Sequence, residues 1–217
     1  MKRLLSIYLL GIAVAACGMA CVKGGGGTSP DPVPSGPPTR WSGTARFTRD
    51  VVADSPSSSI TSSASWDVEV LNVTWVKVTN PNPAPPAGGA RYVVESGALR
   101  ASYRDAVDFG RGRRCTSVAS GDFPVPTDAP SESAEGSVLE LGPDGQYQGQ
   151  LYGSVSLDYV QHCTHTPSFL NRTTFDIALD INGALEGGRM RGDMAPQVIR
   201  TEALTSTRTG SWDFAAN

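Results

Sequence analysis

From Gln146 to Cys163 the chain alternates with a period of two over a longer stretch than anywhere else. Tyr147, Gly149, Leu151, Gly153, Val155, Leu157 and Tyr159 fall on one face, and Gln146, Gln148, Gln150, Tyr152, Ser154, Ser156 and Asp158 on the other. Successive side chains of a strand point to opposite faces, so this pattern predicts a long half-buried strand and is incompatible with an amphipathic helix. Gly149 and Gly153 on the inward face predict strong bending, as at barrel corners. Pro143-Asp144-Gly145 supplies a tight turn from a preceding strand at Ser137–Leu141.

The same period recurs along the chain. Thr173, Phe175, Ile177, Leu179 and Ile181 alternate with polar residues, and Asn182-Gly183 follows as a hairpin signal. A return strand is expected near Leu185–Met194, with Pro196 separating it from Gln197–Thr207; Gly210–Phe214 reads as a terminal strand. In the first half, Gly43–Val52 is a strand and Ser55–Ser63 a serine-rich loop. Trp66, Val68 and Val70 share one face, whereas Leu71, Val73 and Trp75 take the other, which predicts a bulge near Leu71–Asn72. Asn80–Gly89 and Phe123–Ser133 read as loops, and Arg91–Tyr103 as one bent strand or two short ones broken at Gly97. The whole predicts an all-β antiparallel meander of roughly ten strands. Long, glycine-bent strands and consecutive hairpins favour a barrel over a two-sheet sandwich. The faces away from the apolar set carry Gln, Ser, Asp and Thr, unlike the lipid-facing band of an outer-membrane pore.

The start of the chain differs in kind. Lys2 and Arg3 precede an apolar run from Leu4 to Ala16, the layout of a secretory signal and too short for a membrane span of about 20 residues. Val14-Ala15-Ala16 then meets Cys17, and this segment resembles the lipobox of bacterial lipoproteins. The resemblance covers residues 1–17 only. It implies a diacylglycerol on the Cys17 thiol, cleavage before that residue, and often acylation of the new amine. Gly18 is not the aspartate linked in that family to inner-membrane retention, which points to the outer membrane of the cell envelope. The alternative is an ordinary secretory signal cut after Ala15 or Ala16. Cys21 fits the motif less well, because Gly18 would stand where an aliphatic residue belongs.

Residues 1–16 are therefore expected to be a signal peptide and residues 17–40 a lipidated cysteine plus tether. Residues 41–217 are left as one β-domain. The tether has four consecutive glycines followed by a proline-rich stretch, giving a reach on the order of 25 Å. Losing Lys2 and Arg3 moves the formal charge from −3 to −5, since −3 minus two positive charges is −5. That balance offers no general attraction for nucleic acid. The expected partners are the membrane, through the lipid, and an envelope protein or glycan.

Within the domain, export places Cys115 and Cys163 in an oxidising compartment, where one disulfide is expected; two reduced buried thiols are the alternative. His162-Cys163-Thr164-His165 contains the only two histidines, which makes His162 and His165 weak metal candidates. The disulfide would consume the intervening thiol, and no second ligand cluster is visible, so no metal or other cofactor is expected. Asp176 and Asp180 share a strand face about 13 Å apart, too far for a glycosidase pair. No Gly-x-Ser-x-Gly elbow occurs, and no catalytic residue is assigned. Arg111-Gly112-Arg113-Arg114 is a compact basic loop, and Arg191-Gly192-Asp193 lies in a predicted strand rather than at a loop tip. Most aromatics, Trp41, Trp66, Trp75, Trp212, Tyr147 and Tyr159, follow the inward phase; Tyr152 stands on the polar face. The expected function is a lipid-anchored envelope protein presenting a non-enzymatic β-domain for binding or structure. The alternatives are a carrier of a small apolar ligand in a barrel cavity and a metal-dependent or hydrolytic enzyme using His162 and His165.

Overall fold

A computed structural model of the chain describes residues 36–54, 60–127 and 136–217. These residues form nine strands: β1 (Arg40–Asp54), β2 (Thr61–Lys77), β3 (Ala90–Asp108), β4 (Arg114–Pro124), β5 (Val138–Leu141), β6 (Gln146–Cys163), β7 (Phe169–Ala184), β8 (Arg189–Arg200) and β9 (Leu204–Ala216). All pairings are antiparallel and belong to one sheet, and among the described residues there is no helix. From one edge the sheet runs β8, β9, β1, β2, β3. β4 and β5 then share the far side of β3, β4 pairing with residues 98–108 and β5 with residues 90–93. β6 follows, and β7 forms the other edge. The chain is thus an all-β antiparallel meander.

β6 shows why these residues form strands. Tyr147, Leu151, Gly153, Val155, Leu157 and Tyr159 are buried, while Gln148, Tyr152, Ser154, Ser156 and Asp158 between them are exposed. At Gly149 an added Cβ would stand 2.3 Å from the Val138 carbonyl oxygen and 2.7 Å from Leu139 Cα, so glycine is what lets β5 approach β6. The bulge in β2 is also present. Asn72 takes φ 52° and the β2–β3 register slips between Leu71 and Thr74, which turns both Val70 and Val73 inward.

Two details differ from the sequence expectation. Asn182-Gly183 is not a turn: both residues lie inside β7, paired with Gln148 and Tyr147. Gly183 instead makes room for Tyr147, whose Oη would lie 2.7 Å from an added Cβ. The turn is at Gly187-Gly188, where φ values of 55° and 74° and reciprocal Glu186–Arg189 backbone hydrogen bonds define a two-residue hairpin. Pro196 does not end a strand either. β8 runs through it to Arg200, absorbing it in a register slip between Met194 and Gln197. An edge strand with a bulge tolerates a residue that cannot donate to the ladder. Three expected strands after residue 185 are therefore two, and the total is nine. Of the two forms expected for Arg91–Tyr103, the single strand is the one that forms, β3 passing through Gly97 unbroken.

The sheet rolls over a single core. Phe175 of β7 stacks on Trp66 of β2 at 4.9 Å and lies 5.6 Å from Phe47 of β1, joining one end of the sheet to its middle. Tyr147 Oη donates to the Arg191 carbonyl of β8 at 2.9 Å and accepts from Trp212 Nε1 at 3.1 Å. A two-sheet sandwich is not what forms, but no ladder between β7 and β8 closes the roll among the described residues.

The meander gives the domain two ends. The β1–β2, β3–β4, β6–β7 and β8–β9 connections lie at one end, called here the hairpin end. The start of β1, the β5–β6 and β7–β8 turns and the end of β9 lie at the other.

Candidate functional site

Cys17 lies outside the described residues. Cys115 and Cys163 form a disulfide; they are direct register partners with Cα atoms 4.0 Å apart, beside the Thr116–His162 pair. His162 and His165 are exposed. His162 Nδ1 is 3.0 Å from Ser168 Oγ, and His165 occupies the β6–β7 turn with φ 67°. Among the described residues no group of three or more His, Cys, Asp and Glu side chains is placed to hold a metal ion. Asp180 accepts from Gln150 Nε2 at 2.7 Å, and Asp158 is held by Arg172 through contacts of 2.6 and 3.1 Å. The Arg111–Arg114 segment is a tight turn closing on Phe109, with the Arg113 guanidinium 5.6 Å from that ring. Arg191-Gly192-Asp193 lies within β8, paired to β9.

Apolar exposure is distributed unevenly. Of the ten exposed large hydrophobic residues described, all but Tyr152 lie in the half of the domain nearer the hairpin end. Leu170 at 74% and Val118 at 69% are the most exposed, and Leu170 faces Val160 directly across β6–β7. Phe109, Phe169, Arg113 and Arg114 flank a recess of about 270 Å³ beside the disulfide. A larger groove, about 460 Å³, crosses the outer face of β1 and β9. Its arginines are already matched: Arg46 pairs with Asp67, and Arg191, with Arg189 beside it, holds Asp213 at 2.7 Å.

The interior changes character between the two ends. Near the start of β1 it is filled by Trp41, Trp75, Tyr92 and Phe214, none of them accessible, with Trp41 against Tyr92 at 6.4 Å and Trp75 against Phe214 at 6.1 Å. Midway, an inward row of register partners reads Met194, Gly210, Phe47, Val68, Ala101 and Gly121. The next inward row toward the hairpin end reads Gln197, Arg208, Arg49, Trp66, Tyr103 and Ala119. The one beyond it reads Ile199, Ser206, Val51, Ala64, Asp105 and Ser117.

Arg49 and Arg208 thus face each other across β1 and β9 on the core side of the sheet, both half-buried. Arg49 Nε donates to Ser206 Oγ at 3.1 Å, and its guanidinium lies 5.6 Å from the Phe175 centroid. Arg208 Nε is buried with no hydrogen-bond partner. Neither arginine belongs to any ion pair among the described residues. Burial, and then the neighbouring Arg208 charge, hold the Arg49 guanidinium below its ordinary pKa. On the opposite side, Asp105 Oδ1 and Ser117 Oγ are also buried without partners. Burial first and Asp105 second push the Tyr103 and Tyr159 hydroxyls up, so both stay protonated donors at neutral pH.

The sequence contained a signal for the arginine pair that residue-type searching passes over. Arg49 continues the phase of Trp41, Ala45 and Phe47, and Arg208 precedes Gly210, Trp212 and Phe214 in the same phase. A charged residue in phase with inward aromatics is the mark of a polar interior.

Comparison of the chain with protein-family models, with curated proteins and with solved structures finds no match.

Proposed function

We propose that this protein is a lipid-anchored component of the bacterial cell envelope, in the outer membrane, whose β-domain works by binding rather than catalysis. Cys17 carries the lipid, the following glycine- and proline-rich residues form the tether, and the domain meets a partner protein with its hairpin end. The observation that carries this reading is the gathering of exposed Leu170, Val118, Val160 and Phe169 in the half away from Arg40, where the tether joins the domain. Phe109 and Phe169 beside Arg113 and Arg114 match the aromatic and arginine enrichment of protein interfaces. The disulfide at that end holds β4 against β6 and presents the surface in one conformation.

Two other readings have observations against them. A carrier of an apolar ligand needs free space among the inward aromatics, but Phe47, Trp66, Tyr103, Tyr159 and Phe175 are in successive ring contact. A hydrolase needs its base and nucleophile in a site that excludes water, whereas the His162–Ser168 contact is exposed. A metalloenzyme needs His162 and His165 to converge on a third ligand, for which no group is placed among the described residues.

The test uses the full-length protein in its own host with a photo-crosslinking residue at Leu170 or, as a control, at Gln148 near the other end. The reading expects one discrete protein adduct from position 170, lost when Val160 is changed to Glu, and none from position 148. Equal adducts from both positions, or none from 170, contradict it.

A further inference from the structure

We propose that Arg49 and Arg208 form an inward-facing site for the oxyanion of a small organic acid, entered between the distal halves of β7 and β8. This goes beyond the protein-docking reading and stands without it.

The charge pattern is the first ground. On the outer surface of β1, β8 and β9, Arg46 is matched by Asp67, and Arg189 and Arg191 by Asp213, while Arg200 stands exposed to water at the end of β8. On the inner face of the same strands Arg49 and Arg208 stand as direct register partners with no carboxylate in ion-pair reach. Two half-buried like charges side by side are unfavourable, and a buried Nε without an acceptor adds to the cost. Asp105, in the next inward row, makes no ion pair with either arginine. An oxyanion supplies what is missing, because two guanidinium forks each offer paired donors to a carboxylate or phosphate. The Ser206 hydroxyl, already accepting from Arg49, is at hand as a further donor.

Access is the second ground. No ladder joins β7 to β8 among the described residues. Beyond the bulge at residues 194–197, Gln197 and Ile199 share the inward face with Arg208 and Ser206, yet both are exposed. Phe169, at the start of β7 and in the inward phase of Phe175 and Ile177, is exposed as well. The inner face is therefore open to solvent beside the arginine pair and nowhere near the packed aromatic end. Ile199, at 50% exposure, offers apolar surface to the body of the acid, while the buried Phe175 ring lies under the Arg49 guanidinium.

Titration calorimetry on the full mature protein tests this with benzoate, phenyl phosphate, inorganic phosphate and uncharged benzyl alcohol as probes. Benzoate or phenyl phosphate is expected to bind one to one, and benzyl alcohol not to bind. Inorganic phosphate binding as tightly as phenyl phosphate assigns the site to the oxyanion alone; tighter organic probes assign it to an acid with an apolar body. Arg49→Met combined with Arg208→Met should weaken binding at least about tenfold, and Arg200→Met should leave it unchanged. Arg208→Lys, which keeps charge but not the fork, should fall between, and provides the reading if the double change does not fold. Benzyl alcohol binding as well as benzoate, no oxyanion binding at millimolar concentration, or full binding by the arginine variants overturns the proposal.

Discussion

Removing the disulfide by changing Cys115 and Cys163 together to Ala should be among the most destabilising changes available to this domain. The bond joins residues 48 apart in the chain, and the loop it closes contains most of β4 and all of β5 and β6. Loop-closure entropy for that length comes to about 4 kcal/mol in the unfolded state. Cys115 is buried, so losing its sulfur adds on the order of 1 kcal/mol of lost packing. The native ladder offers little compensation, since β4 and β6 pair only at Cys115–Cys163 and Thr116–His162. The sum, about 5 kcal/mol, rivals the whole stability of a modest domain. At this size each kcal/mol moves Tm by about 2–4 °C, so a fall of roughly 10–20 °C is expected. The assay is thermal unfolding followed by far-UV circular dichroism, comparing the oxidised protein, the reduced protein and the double variant. The last two should melt within a few degrees of each other. A double variant melting within about 3 °C of the oxidised protein would show that loop closure is not what the bond contributes.

The remaining expectations concern single residues. Gly149→Ala should cost at least about 1–3 kcal/mol in urea unfolding, because its Cβ meets the Val138 carbonyl, and backbone cannot rotate away. Gly153→Ala should cost less, since its nearest neighbour, at 2.9 Å, is the flexible end of Leu99. Hydrogen bonds from Arg191 and Arg189 hold the Asp213 carboxyl below its ordinary pKa. Its stabilising contribution is therefore complete above the unfolded value, near pH 4, and lost as pH falls through the lowered one. Urea midpoints of the protein and Asp213→Asn should differ by a constant amount at pH 5–7 and converge as the pH drops below about 4. Without ligand, Arg208→Met should raise the stability by about 1–3 kcal/mol, because it removes a buried unpartnered donor and relieves Arg49; a lower melting point would contradict that account.

How far the fold is legible in the sequence depends on how local its cause is. The alternation in β6 and the bulge at Asn72 follow from the period of two, a property of adjacent residues, and both stand where the pattern puts them. The β7–β8 turn fails as a local reading for a tertiary reason. Asn182-Gly183 has the right chemistry for a turn, but Gly183 is required by the approach of Tyr147, 36 positions earlier. Pro196 likewise breaks a strand only if that strand is internal, and β8 is an edge, which no local window reveals. The disulfide was accessible from cysteine arithmetic and export. The inward phase of Arg49 and of Arg208 is legible strand by strand, but their being register partners is not, because that is a relation between strands at opposite ends of the chain.

The claim on which the functional account most depends is that Cys17 begins the mature protein and carries lipid. Intact and N-terminal peptide mass spectrometry of the protein extracted from its host tests this directly. The account predicts a mature chain starting at Cys17 with the added mass of two or three acyl chains, absent from a Cys17→Ser version, which should also leave the membrane fraction. An unmodified mature terminus on the natural protein would contradict the account.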